Sequence, residues 1–342
     1  MIYASVGLRR DEVDFRQFFA ASAVTIVAGK GGVGKTTVAA TLALAAAKTG
    51  LRVTIVEIEG KSGISRLFGH GPLKYHDQLL WTDPSGGDGR VQGRALTADH
   101  ALVEYLRDHG LNRISKRLAD SGALDIVTAA TPGIKDVLLL GKVKQLERSA
   151  PTDLVIVDAP AAGHAISFLK SAQGLLNAIA VGPIETQARE VQEMLTDPSR
   201  CQVVLVTLAQ ETPMNEVIET AYQLEDEVGV KLGPVVINGL YPPLPGLETP
   251  LETAVAEAYA AGWAISHDVK SQLGQAAEFR RERAAMQREQ TERLHSTLPL
   301  PQMHLDLLFD TEFALPALET LAEILLREID ALPPLPEWNT QQ

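Results

Sequence analysis

The stretch Val27–Ala40, VAGKGGVGKTTVAA, limits the fold more than any other part of the chain. Within it, Gly29-x-x-x-x-Gly34-Lys35-Thr36 is a complete phosphate-loop pattern. Its glycines let backbone N–H groups face phosphate oxygens with no Cβ in the way, and the helix beginning at Gly34-Lys35 adds the positive end of its dipole. A loop of this kind belongs between a strand and a helix, and the flanks comply. Val24–Ala28 is a β-branched, uncharged run that reads as a buried strand. An alanine-rich segment reads as a helix from about Lys35 to Thr49, stopped by Gly50. A second apolar run, Val53–Val56, ends at Glu57 and completes the first crossover unit of a parallel sheet.

Similar runs at Leu154–Val157, Val203–Val206 and Pro234–Ile237 are separated by helical patterns. The expected fold class is therefore α/β: a doubly wound, mostly parallel sheet of P-loop NTPase type with an inserted helical subdomain. Residues 1–21 read as a charged lead-in with a helix around Phe15 to Phe19, residues 22–335 as one P-loop domain, and 336–342 as a tail. The helical insertion covers about 98–149, after a loop at Asp83–Gly89 and a strand near Val91–Leu96. Leu240–Pro250 reads as a proline-stiffened loop, and Glu278–Arg293, with charges of both signs, as a solvated helix face.

With 31 basic and 43 acidic residues the formal charge is −12, and no basic block interrupts it. That argues against a protein held to nucleic acid or to an acidic membrane by its general field. A single cysteine, Cys201, rules out an internal disulfide and any metal site built from several cysteines of this chain. Arg9-Arg10 is followed by Asp11, Glu12 and Asp14 where a leader would turn apolar. The longest run of small apolar residues, Val38–Ala47, is about half a bilayer span. The expectation is a cytoplasmic protein with no nucleic-acid partner and no stable membrane insertion.

Phosphate-loop chemistry assigns the remaining roles. The backbone of Gly29, Lys30, Gly31, Gly32, Val33 and Gly34 cradles phosphate, Lys35 reaches the β- and γ-phosphates, Thr36 places its hydroxyl on Mg²⁺, and Thr37 meets the α-phosphate. A bound nucleotide with Mg²⁺ is expected from the loop. Asp158 ends a buried strand where a carboxylate can hold a magnesium-bound water, and Gly163 can bring an N–H to the γ-phosphate.

One lysine suffices for such a loop, yet Lys30 precedes Lys35 by five positions. The string Gly29-Lys30-Gly31-Gly32-Val33-Gly34-Lys35-Thr36-Thr37 resembles the deviant phosphate loop of the class that includes MinD, ParA, nitrogenase iron protein and the ArsA ATPases. In that class the earlier lysine reaches across a face-to-face dimer to the partner's nucleotide. Asp158-x-Pro160-x-x-Gly163-His164 looks like the second switch of the ArsA family, which includes the arsenite-pump ATPase and the ATPase that targets tail-anchored membrane proteins. Thr131–Leu138, Leu205–Val217 and Val235–Pro242 add to the similarity, which covers roughly residues 22–330. The resemblance implies that the nucleotide is ATP, and that the protein is an Mg²⁺-dependent ATPase working as a homodimer, or as a heterodimer with a paralogue, and driving a conformational cycle on a protein client. It also implies that Lys30 acts catalytically on the partner's nucleotide, that Asn238 reads the adenine edge, and that Leu298–Asp306 closes over the base. An asparagine beside a strand end is equally a turn former.

The chain departs from that pattern in two places. The family's first switch carries an aspartate that orients the attacking water; here Val56–Gly69 offers Glu59 at the corresponding position, and Glu57 on the same side if the strand continues. Glu59 is the preferred assignment. The cysteines that bind metalloid, clasp zinc or ligate iron–sulfur clusters in relatives have no counterpart, so no arsenite or zinc site is expected. Leu102, Tyr105 and Leu106, with Val137–Leu140, form apolar faces suited either to core packing or to a client groove. Two rival readings stay open: a nucleotide-gated dimeric scaffold with little hydrolysis, and a positioning ATPase of the MinD/ParA type.

Overall fold

The computed structural model describes residues 15–58, 63–111, 113, 115, 133–149, 151–160, 162–179, 181–310 and 312–333. Its strands are β1 (Val24–Ala28), β2 (Arg52–Ile58), β3 (Gln78–Thr82), β4 (Arg90–Leu96), β5 (Leu154–Asp158), β6 (Cys201–Leu208), β7 (Lys231–Leu232), β8 (Val235–Leu240) and β9 (Gln302–Asp306). They form one sheet in the order β3-β4-β2-β5-β1-β6-β8-β9, with β7 beside β6. Every pairing is parallel except β3 with β4. β1 lies between β5 and β6, so the loop that follows it emerges in the middle of the sheet's C-terminal edge, where open α/β sheets bind ligands.

Helices α1 (Phe15–Ala20), α2 (Lys35–Lys48), α3 (Gly63–Leu67) and α11 (Leu315–Ala331) cover one face. α2 is buried at every position from Val38 to Ala47. Its alanines allow close approach to the sheet, and Leu318, Leu321, Ala322 and Leu325 of α11 close over it. The other face carries α5 (Ile134–Glu147), α6 (Ala162–Ala178), α7 (Pro183–Thr196) and α8 (Glu211–Gln223). There Val137, Leu139, Leu140 and Val143 share a core with Val155, Val157, Phe168 and Leu169. α4 (Ala98–Asp108) adds a small satellite core of Ala101, Leu102 and Tyr105 against Leu138. The apolar stripe of α4 and the Val137–Leu140 turn are thus spent on packing. A hairpin of α9 (Leu251–Ala260) and the long α10 (His267–Thr297) follows β8, and α10 buries just Gln287 and Leu294, as its charge pattern implied.

Several element bounds differ from the sequence reading. β2 runs through Ile58, which places Glu57 inside the strand. β8 runs to Leu240, so Asn238 is a strand residue level with Leu208 rather than a turn former after the strand. β9 occupies the segment expected to lie over a base, and β3 had no expected counterpart. Both are edge strands whose few inward residues, Leu80 in β3 and Met303 and Leu305 in β9, are too short a signal to stand out in sequence.

At the N-terminal ends of the strands, charges are closed in pairs. Arg52 donates to both oxygens of Asp153, at 2.8 and 2.6 Å, joining the starts of β2 and β5. Arg200 does the same to Glu147, at 2.8 and 2.6 Å, tying the start of β6 to α5. The guanidinium of Arg52 holds the Asp153 carboxyl below the usual carboxylate range.

Candidate nucleotide site

The loop between β1 and α2 takes the shape its glycines permit. Gly29, Gly32 and Gly34 all have positive φ, at 156°, 88° and 90°. At Gly34 a second constraint applies, since a Cβ there would lie 2.2 Å from Asn238 Nδ2. Lys35 opens α2, and its Nζ donates to the Lys30 carbonyl at 2.9 Å, which folds the ammonium back onto the loop. Thr36 donates its hydroxyl to Asp158 Oδ2 at 2.7 Å, across 122 positions of sequence. Register explains that meeting: Asp158 at the end of β5 stands level with Val27 on β1 and with Glu57 on β2.

Lys30 does not extend freely. Its ammonium forms an ion pair with Glu216 of α8 in the same chain, and its side chain remains 43% exposed. Asn238 Nδ2, on the amide expected to read a base edge, donates to the Val33 carbonyl at 3.0 Å and so braces the phosphate loop. Gly163 and His164 lie exposed in the first turn of α6, just past the end of β5. Gly31 is exposed on the loop, and Thr37 occupies the first turn of α2, where its carbonyl accepts from Thr41. Glu59 lies outside the described residues.

Glu57 is within them and is only 2% exposed. Its Oε1 accepts from the Gly63 N–H at 2.9 Å, while its buried Oε2 has no hydrogen-bond donor among the described residues. The sequence raised Glu57 as the lesser alternative. Glu216 and a cluster at the ends of β8 and β9 were missed. In that cluster the rings of Tyr241 and Phe309 lie 6.0 Å apart, and the Arg280 guanidinium sits 4.7 Å from the first and 5.4 Å from the second. Aromatics within three positions of two parallel strand ends were the available hint, but recognising it needed β9. Cys201, by contrast, opens β6 as a buried side chain whose thiol is pushed up to about 12 by burial. At neutral pH it is a small hydrophobe.

Among the described residues no helix is long and apolar enough to cross a membrane. Comparison with known families matches residues 22–181, which carry the phosphate loop and Asp158, to the ArsA family described as anion-transporting ATPase. The chain is similar to the ATPase BagA of Mycobacterium tuberculosis, 34% identical over 220 residues that make up 62% of this chain and 64% of that protein. It is also similar to an arsenical pump-driving ATPase of Escherichia coli, 30% identical over 240 residues, 63% of this chain and 39% of the relative. The chain thus spans less than two thirds of the length of the curated relatives it matches first. A mostly parallel sheet with a glycine-rich loop at its central strand, a threonine–aspartate pair beneath that loop and these relatives agree: the chain has an α/β P-loop NTPase fold and is similar to the ArsA ATPase family.

Proposed function

We propose that this protein binds and hydrolyses ATP with Mg²⁺ as a dimer, and that the cycle drives a conformational change on a protein client. The observation that carries this reading is the Thr36–Asp158 hydrogen bond under a loop onto which Lys35 is folded. A hard divalent cation takes oxygen ligands, and the Thr36 hydroxyl and Asp158 carboxylate supply them, Asp158 through a bound water. When bound, such a cation would supply charge neutralisation at the phosphoryl oxygens. Lys35 and the loop N–H groups position the β- and γ-phosphates, Gly163 offers an N–H to the γ-phosphate, and Glu59 orients the attacking water. Lys30 completes the partner's site once it leaves Glu216. The partner is a second copy or a paralogue, because a lysine in trans needs only a matching face. The Tyr241–Phe309–Arg280 cluster, three positions beyond Asn238, gives a base a surface to stack on.

Phosphate release from Mg²⁺-ATP tests hydrolysis. Wild-type protein is expected to release phosphate, and Glu59→Gln to lose most turnover while still binding ATP. Turnover unchanged by Glu59→Gln rejects that assignment. Background release by wild type rejects hydrolysis and leaves the nucleotide-gated scaffold, a reading favoured by the in-chain Lys30–Glu216 pair, which withholds the lysine. For the dimer the measurement is mass by light scattering with a non-hydrolysable ATP analogue, alone and mixed with a paralogue. A molecule that stays single in both rejects it.

A further inference from the structure

We infer that Glu57 is a third oxygen-bearing side chain of the divalent-cation site, beside Thr36 and Asp158; this rests on the nucleotide reading above. Four observations converge on it. Glu57 and Asp158 are register partners on the parallel strands β2 and β5, so their side chains leave the sheet on the same face, with backbones roughly 5 Å apart. That face is the one covered by α2, since Ile55 and Ile156, two positions earlier on each strand, pack with it. Glu57 also spends one oxygen on the Gly63 N–H and keeps the other buried with no donor among the described residues. Finally, Gly63 touches the threonine of the site: a Cβ built on it would lie 2.8 Å from Thr36 Cγ2.

Glu57, Gly63, Thr36 and Asp158 are therefore linked in a row of contacts whose two ends, Glu57 and Asp158, stand level on adjacent strands at the C-terminal edge of the sheet. A buried carboxyl oxygen without a partner is costly. Two carboxylates level with each other on adjacent strands add mutual repulsion. Both costs are relieved by a cation between them, and oxygen-rich, anionic surroundings are what Mg²⁺ selects. Capping the Gly63 amide needs only one acceptor oxygen, which a neutral amide side chain also provides. That role leaves the second oxygen unexplained, and the cation accounts for it. Glu57 so has a task separate from that of Glu59: charge for the cation, and a hydrogen bond that seats Gly63 against Thr36.

The experiment is calorimetric titration of Mg²⁺ into the full-length protein saturated with ADP, comparing wild type with Glu57→Gln. The glutamine keeps an acceptor for Gly63 and removes the charge. We expect Mg²⁺ to bind at least 10-fold more weakly to the variant, with the affinity for ADP measured in EDTA unchanged within two-fold. Mg²⁺ affinity within two-fold of wild type overturns the inference and leaves the nucleotide reading intact. Wild-type protein that binds no nucleotide overturns that reading itself, and this inference with it. If circular dichroism shows that Glu57→Gln does not fold, Glu57→Asp replaces it. That variant keeps the charge and withdraws it by a methylene, so at least three-fold weaker Mg²⁺ binding supports the inference and unchanged binding overturns it.

Discussion

The carboxylates at the two ends of the sheet are met differently. At the N-terminal ends of the strands, Arg52–Asp153 and Arg200–Glu147 match two donors to two acceptors, and each guanidinium fork fits its carboxylate. At the C-terminal ends, polar atoms are gathered without full satisfaction. Glu57 Oε2 and Glu216 Oε2 are buried and have no hydrogen-bond donor among the described residues. Paired charges hold strands in register and ask for nothing more. The gathered oxygens, beside two lysines on a glycine loop, are where the proposed function would place a charged ligand. One end of the sheet carries these paired charges, and on the proposed function the other end holds binding capacity at some expense of stability.

Substitutions at each end break or sharpen this contrast. The largest effect is expected for Lys35→Ala, which removes the ammonium folded back onto the loop. ATP affinity or turnover should fall at least about 100-fold, whereas the melting temperature should change little. A large loss of melting temperature would show that the lysine also holds the fold. Glu147→Ala should do the reverse, since it strands a guanidinium that is only 19% exposed. A loss of about 2–3 kcal/mol in denaturant unfolding is expected, with ATP affinity unchanged. A smaller effect follows from Glu216→Gln, which releases Lys30 from its in-chain partner. Nucleotide-dependent dimerisation should tighten by a few-fold in sedimentation velocity, and weaker dimerisation would mean that Glu216 serves the dimer instead.

The smallest effect concerns pH. Arg52 lowers the carboxyl of Asp153, so this group's contribution is present above its unfolded-state value and is lost as pH falls through the folded-state one. Asp153→Asn should therefore be less stable than wild type at neutral pH, by about 1 kcal/mol, and the gap should close on acidification below about pH 4. A gap that stays constant down to pH 2 would show that the charge of Asp153 does not carry the stabilisation, since both the guanidinium and the Arg52 N–H, which donates at 2.9 Å, favour the ionised carboxylate.

Legibility in the sequence followed the range of the interactions. Strands β1 and β5 and helix α2 were readable almost to the residue because each is a continuous apolar or alanine-rich run bounded by glycine, proline or charge. The edge strands β3 and β9 were not, because an edge strand needs few inward residues and its identity depends on the neighbour it meets. Asn238 shows the same limit within the site. Its type suggested a turn or a base contact, and only its place in β8, level with Leu208, brings its amide to Val33.

By itself the sequence determined the phosphate loop, its flanking strand and helix, and the carboxylate that ends β5, since each is a property of adjacent residues and of backbone freedom at glycine. Only the tertiary structure decided that Lys30 faces Glu216, that Thr36 meets Asp158, and that Glu57 rather than a solvent-facing residue stands beside them. Those partners are 186, 122 and 101 positions apart along the chain, and parallel strand register, which no local pattern encodes, sets what lies next to what.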